Sequence, residues 1–180
     1  IAIEEDFVTV SQLENLKKSL NADVNSDFKL SRELFELRAV KSDTEIEKIK
    51  TAQKIAEKSY LDVLNHLKQG VTEREIAVEL EYLMKKNGAE KVAFDLIVVS
   101  GINSSLPHGV PSSKIIQSGD FITFDIGAVY DGYHSDMTRT VALGGVSDEM
   151  REVYDTVLTA HYKAAQMIKA GNAIASVDTA

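Results

Sequence analysis

The 180 residues contain no cysteine, which removes disulfides, zinc–thiolate sites and thiol nucleophiles from consideration. No apolar run approaches the roughly 20 residues that a helix needs to cross a bilayer. No dense stripe of Lys and Arg appears, and the formal net charge is -8. Nucleic acids and anionic membranes both demand a basic surface, so neither is an expected partner. The sequence has no Gly-x-Ser-x-Gly elbow or comparable arrangement, so a Ser/His/Asp nucleophile has no support. Nothing calls for an oxidising compartment, and the cytoplasm is the expected location. The first residue is Ile1 rather than Met, with no signal-peptide pattern. The last residues, Ile174 to Ala180, read as the start of a helix, so both ends are expected to be cut from a longer protein.

What is present is ordinary globular material, with 44% hydrophobic and 27% charged residues. The length suits one domain, or one domain with a fragment of another. Residues 1–41 are short, mixed elements, with the end of a strand at Ile1-Ala-Ile3 and a short helix from Val10 to Leu20. The stretch from Phe28 to Val40 shows no period and reads as a connector. Ser42-Asp-Thr-Glu45 matches a capping box, and Ile46, Ile49, Gln53, Ala56, Tyr60, Val63 and Leu67 follow at helical spacing. Thr72-Glu-Arg-Glu75 is a second capping box, opening a helix through Ile76, Leu80, Leu83 and Met84 to Gly88. From Phe94 to Ser100 the texture is that of a strand, followed by a polar loop from Gly101 to Ser113. A last long helix starts at Ser147-Asp-Glu149 and stops near Gly171.

The chemistry concentrates in residues 121–143. Asp131-Gly132 between two alternating runs is a strong hairpin signal. With those two as the loop, Asp125 faces Thr138 and Gly127 faces Asp136. Asp125, Asp136 and Thr138 then share one side of the sheet, with the two Asp diagonal and their Cα atoms ~7–8 Å apart. Carboxylates so placed could clamp a pair of metal ions ~3.5–4 Å apart. The other side carries Ile122, Phe124, Ile126 and Ala128, which should pack on helices. Asp is depleted in strands, and burying a lone carboxylate is costly without compensation. The bland alternatives are that Asp125 caps the turn or pairs with Arg139, and that Asp136 is simply exposed. Arg139 has the wrong parity to share their face.

Phe94-Asp-Leu-Ile-Val-Val-Ser-Gly101, Leu106-Pro-His-Gly109, Phe124-Asp-Ile-Gly-Ala128 and Ser135-Asp-Met-Thr-Arg-Thr140 resemble, in order and spacing, the motifs of the aminopeptidase P and prolidase family. Leu37 to Glu45 resembles that family's entry into its catalytic domain. The resemblance implies an α+β pita-bread fold, an antiparallel sheet backed by helices, with the first half and part of the second present. It divides the chain into residues 1–36, the tail of an N-terminal domain, and 37–180, a partial catalytic domain. It further implies two divalent metals, with Asp125 and Asp136 as ligands and manganese, cobalt or zinc as the ion. His108 would be the catalytic histidine near the scissile bond, contacting substrate, and Phe94 would line the substrate pocket. The substrate would be a peptide cut before proline.

His108 also has a case of its own, since Pro107 and Gly109 make its turn rigid and open, and such loops commonly carry function. A lone loop histidine is more often just a surface residue. His66 and His161 sit in helices and His134 at the hairpin mouth, and none is expected to be a ligand. The family's remaining His and two Glu ligands have no counterpart in this sequence, so the chain alone is expected to be inactive. Its sheet should present an unpaired edge open to self-association, a homodimer included. Methionine aminopeptidase shares the fold and ligand pattern, but the N-terminal remnant and the Leu106-Pro-His-Gly109 loop argue against it. Creatinase-like enzymes would not need both Asp. A non-catalytic pita-bread binding module is the rival from another class.

Overall fold

The structure, a computed structural model, describes residues 1–25 and 29–179. By internal contacts the chain forms two units, Ile1–Glu47 and Lys48–Ala180. In the first, Thr9 caps helix α1 (Val10–Ser19) through a capping box with Gln12. A parallel bridge joins Ala2 to Asn25. The expected connector is instead a second helix, α2 (Lys29–Ala39), while Phe28 lies outside the described residues. The helix was hidden because its polar face dominates. Its i,i+4 ion pairs, Lys29–Glu33 and Arg32–Glu36, add to a short apolar stripe of Leu30, Leu34 and Leu37 at helical spacing.

Helix α3 (Asp43–Val63) opens on the Ser42 capping box, in which the Ser42 amide donates to Glu45 Oε2 at 2.7 Å. The buried stripe of α3 is Ala52, Ile55, Ala56, Ser59 and Val63, shifted in phase from the run of larger apolar residues. Ala and Ser let the helix sit close to its neighbours, and Ser59 satisfies its hydroxyl by donating to Ile55 O at 2.7 Å. Helix α4 (Glu73–Lys86) opens on the Thr72 capping box and buries Glu73, Ile76, Leu80, Leu83 and Met84.

Six strands follow: β1 (Lys91–Val92), β2 (Ile97–Ser100), β3 (Phe121–Ile126), β4 (Ala128–Tyr130), β5 (Tyr133–His134) and β6 (Met137–Ala142). They form two antiparallel sheets, β2-β3-β6 and β1-β4-β5. The expected strand from Phe94 begins three residues later, at Ile97. Ala93 donates its amide to Gly127 O at 2.9 Å, and the chain then bends away between the two sheets.

The hairpin register is the one that the Asp131-Gly132 turn dictates. Asp125 pairs with Thr138, Ile126 with Met137, Val129 with His134 and Tyr130 with Tyr133. Both turn residues have positive φ, 48° at Asp131 and 77° at Gly132, as a type I′ turn requires. Ile122, Phe124, Ile126 and Ala128 are fully buried in one cluster with residues of α3 and α4. Tyr60 of α3 meets Phe124 edge-on, ring centroids 5.4 Å apart. Residues Phe121, Thr123 and Asp125 alternate with them and stay partly exposed.

Beyond β6, helix α5 (Asp148–Met167) is capped by Ser147 and has no buried residue, and a short α6 (Ile174–Asp178) follows. Among the described residues no helix is long and apolar enough to cross a membrane.

Candidate active site

The hairpin is one sequence run that serves two sheets, and the hand-over between them is where the two carboxylates sit. At Gly127 the first leg passes from β3 to β4; at Ser135-Asp136 the second passes from β5 to β6. Ser135 is buried and ties the legs across the kink: its amide donates to Ala128 O at 2.9 Å, and its hydroxyl accepts from Ala128 N at 3.0 Å. Glycine is required opposite it, because a Cβ on Gly127 would collide with the Ser135 carbonyl and lie 2.9 Å from Phe94 Cε1. Phe94 therefore packs against the kink, one residue from Ala128 on one side and two from Asp125 on the other.

Asp125 stands on the face of β3 turned away from the α3–α4 core, and Thr138 Oγ1 donates to its Oδ1 at 3.2 Å. Thr123 and Thr140 meet on the same face, hydroxyl to hydroxyl at 3.1 Å. Continuing the register by one step sets Asp136 opposite Gly127 and diagonal to Asp125. Asp136 is exposed, while Met137 beside it is buried on the helix side. Arg139 pairs with Phe124, which puts it on the opposite face from Asp125, and its guanidinium donates to Thr138 O at 2.8 Å. The ion-pair alternative for Asp125 is thus not what the fold provides.

His108 lies at the exposed tip of the segment that joins β2 to β3. Leu106-Pro-His-Gly109 is a tight turn, closed by the Gly109 amide donating to Leu106 O at 3.2 Å, with Pro107 in the position whose φ proline pre-sets. Gly109 is buried against Val99, where a Cβ would come within 2.8 Å of Val99 Cγ1. Among the described residues no hydrogen bond or ion pair joins His108 to either carboxylate. The root of its loop, Ser100, is three residues past Ile97, the strand partner of Asp125. A cavity of about 850 Å³ lies beside this face, bounded by Ser104 and Ser105 of the loop, Thr123 and Thr138 of the hairpin, and Tyr154 of α5. Of the other histidines, His66 Nε2 is 3.7 Å from a Glu79 oxygen, His134 pairs with Val129 in the hairpin, and His161 lines the same cavity from α5, edge-on against Tyr162.

Sequence reasoning missed a polar cluster beneath the His108 loop. Glu73 is fully buried. Burial pushes its carboxyl toward neutrality, but hydrogen bonds from Ser112 and Ser100 outweigh this and hold its pKa below the usual range. Asp120 is treated likewise: burial raises its pKa, and Lys114 with the Gln117 amide brings it down. Lys114 Nζ lies 2.9 Å from Asp120 Oδ2 and donates to Ser100 Oγ at 2.7 Å. A signal was available, since Glu73 precedes Ile76, Leu80 and Leu83 at the phase of the buried stripe.

Asp125 and Asp136 suit a hard divalent cation in kind, since both offer carboxylate oxygens. They do not suffice in number: among the described residues no three His, Cys, Asp or Glu side chains stand together. By themselves the two carboxylates are an incomplete donor set for such an ion.

The profile of the family described as metallopeptidase family M24 matches residues 47–180. The chain belongs to the M24 metallopeptidase family. Among M24 relatives, it is 41% identical over 175 residues to a protein named Xaa-Pro dipeptidase from Pyrococcus furiosus, covering 97% of this chain and 50% of that one. An uncharacterized peptidase of Bacillus subtilis is 47% identical over 135 residues, 75% of this chain and 38% of its own. Among solved structures, an X-Pro aminopeptidase from Thermotoga maritima superposes with a TM-score of 0.92 at 42% identity, covering 99% of this chain and 50% of that one. A prolidase from Pyrococcus horikoshii does so with a TM-score of 0.93 at 40% identity, again 99% and 50%. The fold is accordingly the α+β pita-bread arrangement of M24 proteins, as the motifs imply. The chain spans about half the length of these relatives.

Proposed function

We propose that the whole protein hydrolyses the peptide bond preceding proline, as an Xaa-Pro dipeptidase or Xaa-Pro aminopeptidase. The observation that carries this is the register of the hairpin, which sets Asp125 and Asp136 diagonally on the face not used for packing. Relatives named for Xaa-Pro cleavage at about two-fifths identity support it over a methionine aminopeptidase. Asp125 and Asp136 are assigned as metal ligands, with manganese first and cobalt or zinc next, because oxygen ligation favours such ions over a thiolate-type site. When bound, a divalent pair supplies Lewis acidity and a water acidified toward neutral pH. Thr138 donates to Asp125 Oδ1, which helps orient that carboxylate, as partners of metal ligands commonly do. His108 is assigned as the group that donates to the carbonyl oxygen as charge develops there. Phe94 is assigned as an apolar wall of the substrate pocket. The substrate is a proline-containing peptide, met without any nucleic acid or membrane partner.

The test uses the full-length protein with Xaa-Pro dipeptides, longer Xaa-Pro peptides and proline-free controls. Chelation should abolish turnover, manganese should restore it, and Asp125→Asn and Asp136→Asn should not be rescued. His108→Ala should lower kcat by about 100-fold or more, the usual loss on removing one transition-state donor. Full activity in either Asp variant, or equal cleavage of proline-free peptides, would overturn the assignment.

A further inference from the structure

Glu73 is the first residue of α4, and a carboxylate there is ordinarily read as a favourable partner of the helix dipole. Its hydrogen bonds say otherwise. Thr72 and Glu75 cap the helix with their own side chains, and the Glu73 carboxylate turns outward to a different segment. Oε1 accepts from the Ser100 amide at 2.7 Å, the Ser100 hydroxyl at 3.0 Å and Asn103 Nδ2 at 3.2 Å. Oε2 accepts from the Ser112 hydroxyl at 2.7 Å and the Ser112 amide at 3.1 Å. One oxygen thus takes the start of the loop that carries His108, and the other takes its end. The backbone adds to the grip: the Glu73 amide donates to Lys114 O at 3.1 Å and the Arg74 amide to Ser112 O at 3.0 Å.

We propose that Glu73 is the positioning residue of the His108 loop, a buried carboxylate clamp that fixes both ends of residues 100–112 and thereby the place of the Leu106-Pro-His-Gly109 turn. The physical reason is reciprocal need. A buried carboxylate is tolerated only while its lone pairs are filled, and every side-chain and amide donor that fills them belongs to the loop or its root. Opening the loop would strip the carboxylate of its donors, so the closed loop is the state that the charge enforces. Between the clamped ends, Gly109 is packed on Val99 and Pro107 fixes a backbone angle, so little freedom remains to the turn. Lys114 extends the clamp by donating to Ser100 Oγ while paired with Asp120.

The proposal rests on the reading of His108 given above, and the experiment separates the two. In the full-length, metal-loaded protein, Glu73→Gln places an amide donor against loop donors with no change in size. Expected are a kcat lower by about 100-fold with KM within about 3-fold, since misplacement near 1 Å costs about that much. Amide hydrogen exchange in residues 101–113 should quicken while β3 and β6 keep their protection. In a His108→Ala background, Glu73→Gln should add less than about 3-fold. Ser112→Ala, which removes one donor and leaves the carboxylate, should show the same pattern more weakly, and carries the test alone if Glu73→Gln fails to fold. Unchanged exchange in 101–113, or a loss that multiplies fully onto that of His108→Ala, overturns the proposal. So does loss of protection throughout the molecule in both variants. If His108→Ala leaves kcat intact, the reading of His108 falls and the positioning role falls with it. Faster loop exchange in Glu73→Gln would then show a clamp without that function.

Discussion

Gly127→Ala tests whether the kink between the two sheets is what holds the carboxylates in relation. The added methyl meets three neighbours: the Ser135 carbonyl, Phe94 Cε1 at 2.9 Å and Ala93 Cβ at 3.0 Å. The half-buried Phe94 ring can turn, but the other two neighbours cannot swing aside. The carbonyl is backbone, and Ser135 is pinned to Ala128 by its amide at 2.9 Å and its hydroxyl at 3.0 Å. Ala93 is held by its own bond to Gly127 O at 2.9 Å. Overpacking in a well-packed site costs about 1–3 kcal/mol, and with the backbone carbonyl and Ala93 both fixed the upper end applies. About 3 kcal/mol corresponds to a melting point lower by about 6–12 °C in a chain of 180 residues, and by about half that in a protein twice as long. Relief can come only from parting the two legs, which moves Asp136 away from Asp125. The assay pairs thermal unfolding with manganese titration of the full-length protein. Both the melting temperature and the affinity should drop, and Phe94→Ala in the same background should return only part of the loss. A variant that melts like wild type and binds manganese equally well would refute the argument that this glycine sets the spacing.

Two further outcomes follow from the same geometry. Glu73 and Asp120 have folded pKa values held below their ordinary 4.5 and 3.8, so each adds stability above those values that is lost as pH falls through the folded ones. Urea midpoints should therefore hold from pH 7 to about 5 and fall below it, with a shallower acid slope in Glu73→Gln; an identical slope would remove Glu73 from the account. The 180-residue chain should self-associate, because β6 has only β3 as a strand partner among the described residues and α5 leaves Val153 59% and Val157 64% exposed. Sedimentation showing a monodisperse monomer at micromolar concentration would count against it.

How far the sequence could be read depended on how local each determinant was. Asp131-Gly132 accepts only one tight turn, and that turn sets every pairing of the two legs, so the shared face of Asp125 and Thr138 was legible six residues from the turn on either leg. Capping boxes at Ser42 and Thr72 are equally local, and both helices start where they should. Helix α2 was harder to see because its stripe of Leu30, Leu34 and Leu37 is short and it buries no residue. The strand before Ser100 is shorter than its apolar texture suggests, because the bend at Phe94 is imposed from a distance, by Ala93 bonding to Gly127.

The carboxylate pair and the Glu73 clamp differ in the same way. Two Asp on one hairpin are related by a turn that the sequence spells out. Glu73 acquires its meaning only when β2 and the segment after Pro111 are brought to the N-terminus of α4, contacts spanning 27 and 39 residues. Its phase with Ile76 and Leu80 announced burial, but nothing local named the donors. That places the two kinds of residue on different footings. The two carboxylates lie on a scaffold fixed by short-range rules, while the order of the loop that carries His108 depends on a long-range contact. Mutations that loosen the packing of α4 against β2 should therefore reach His108 before they reach Asp125.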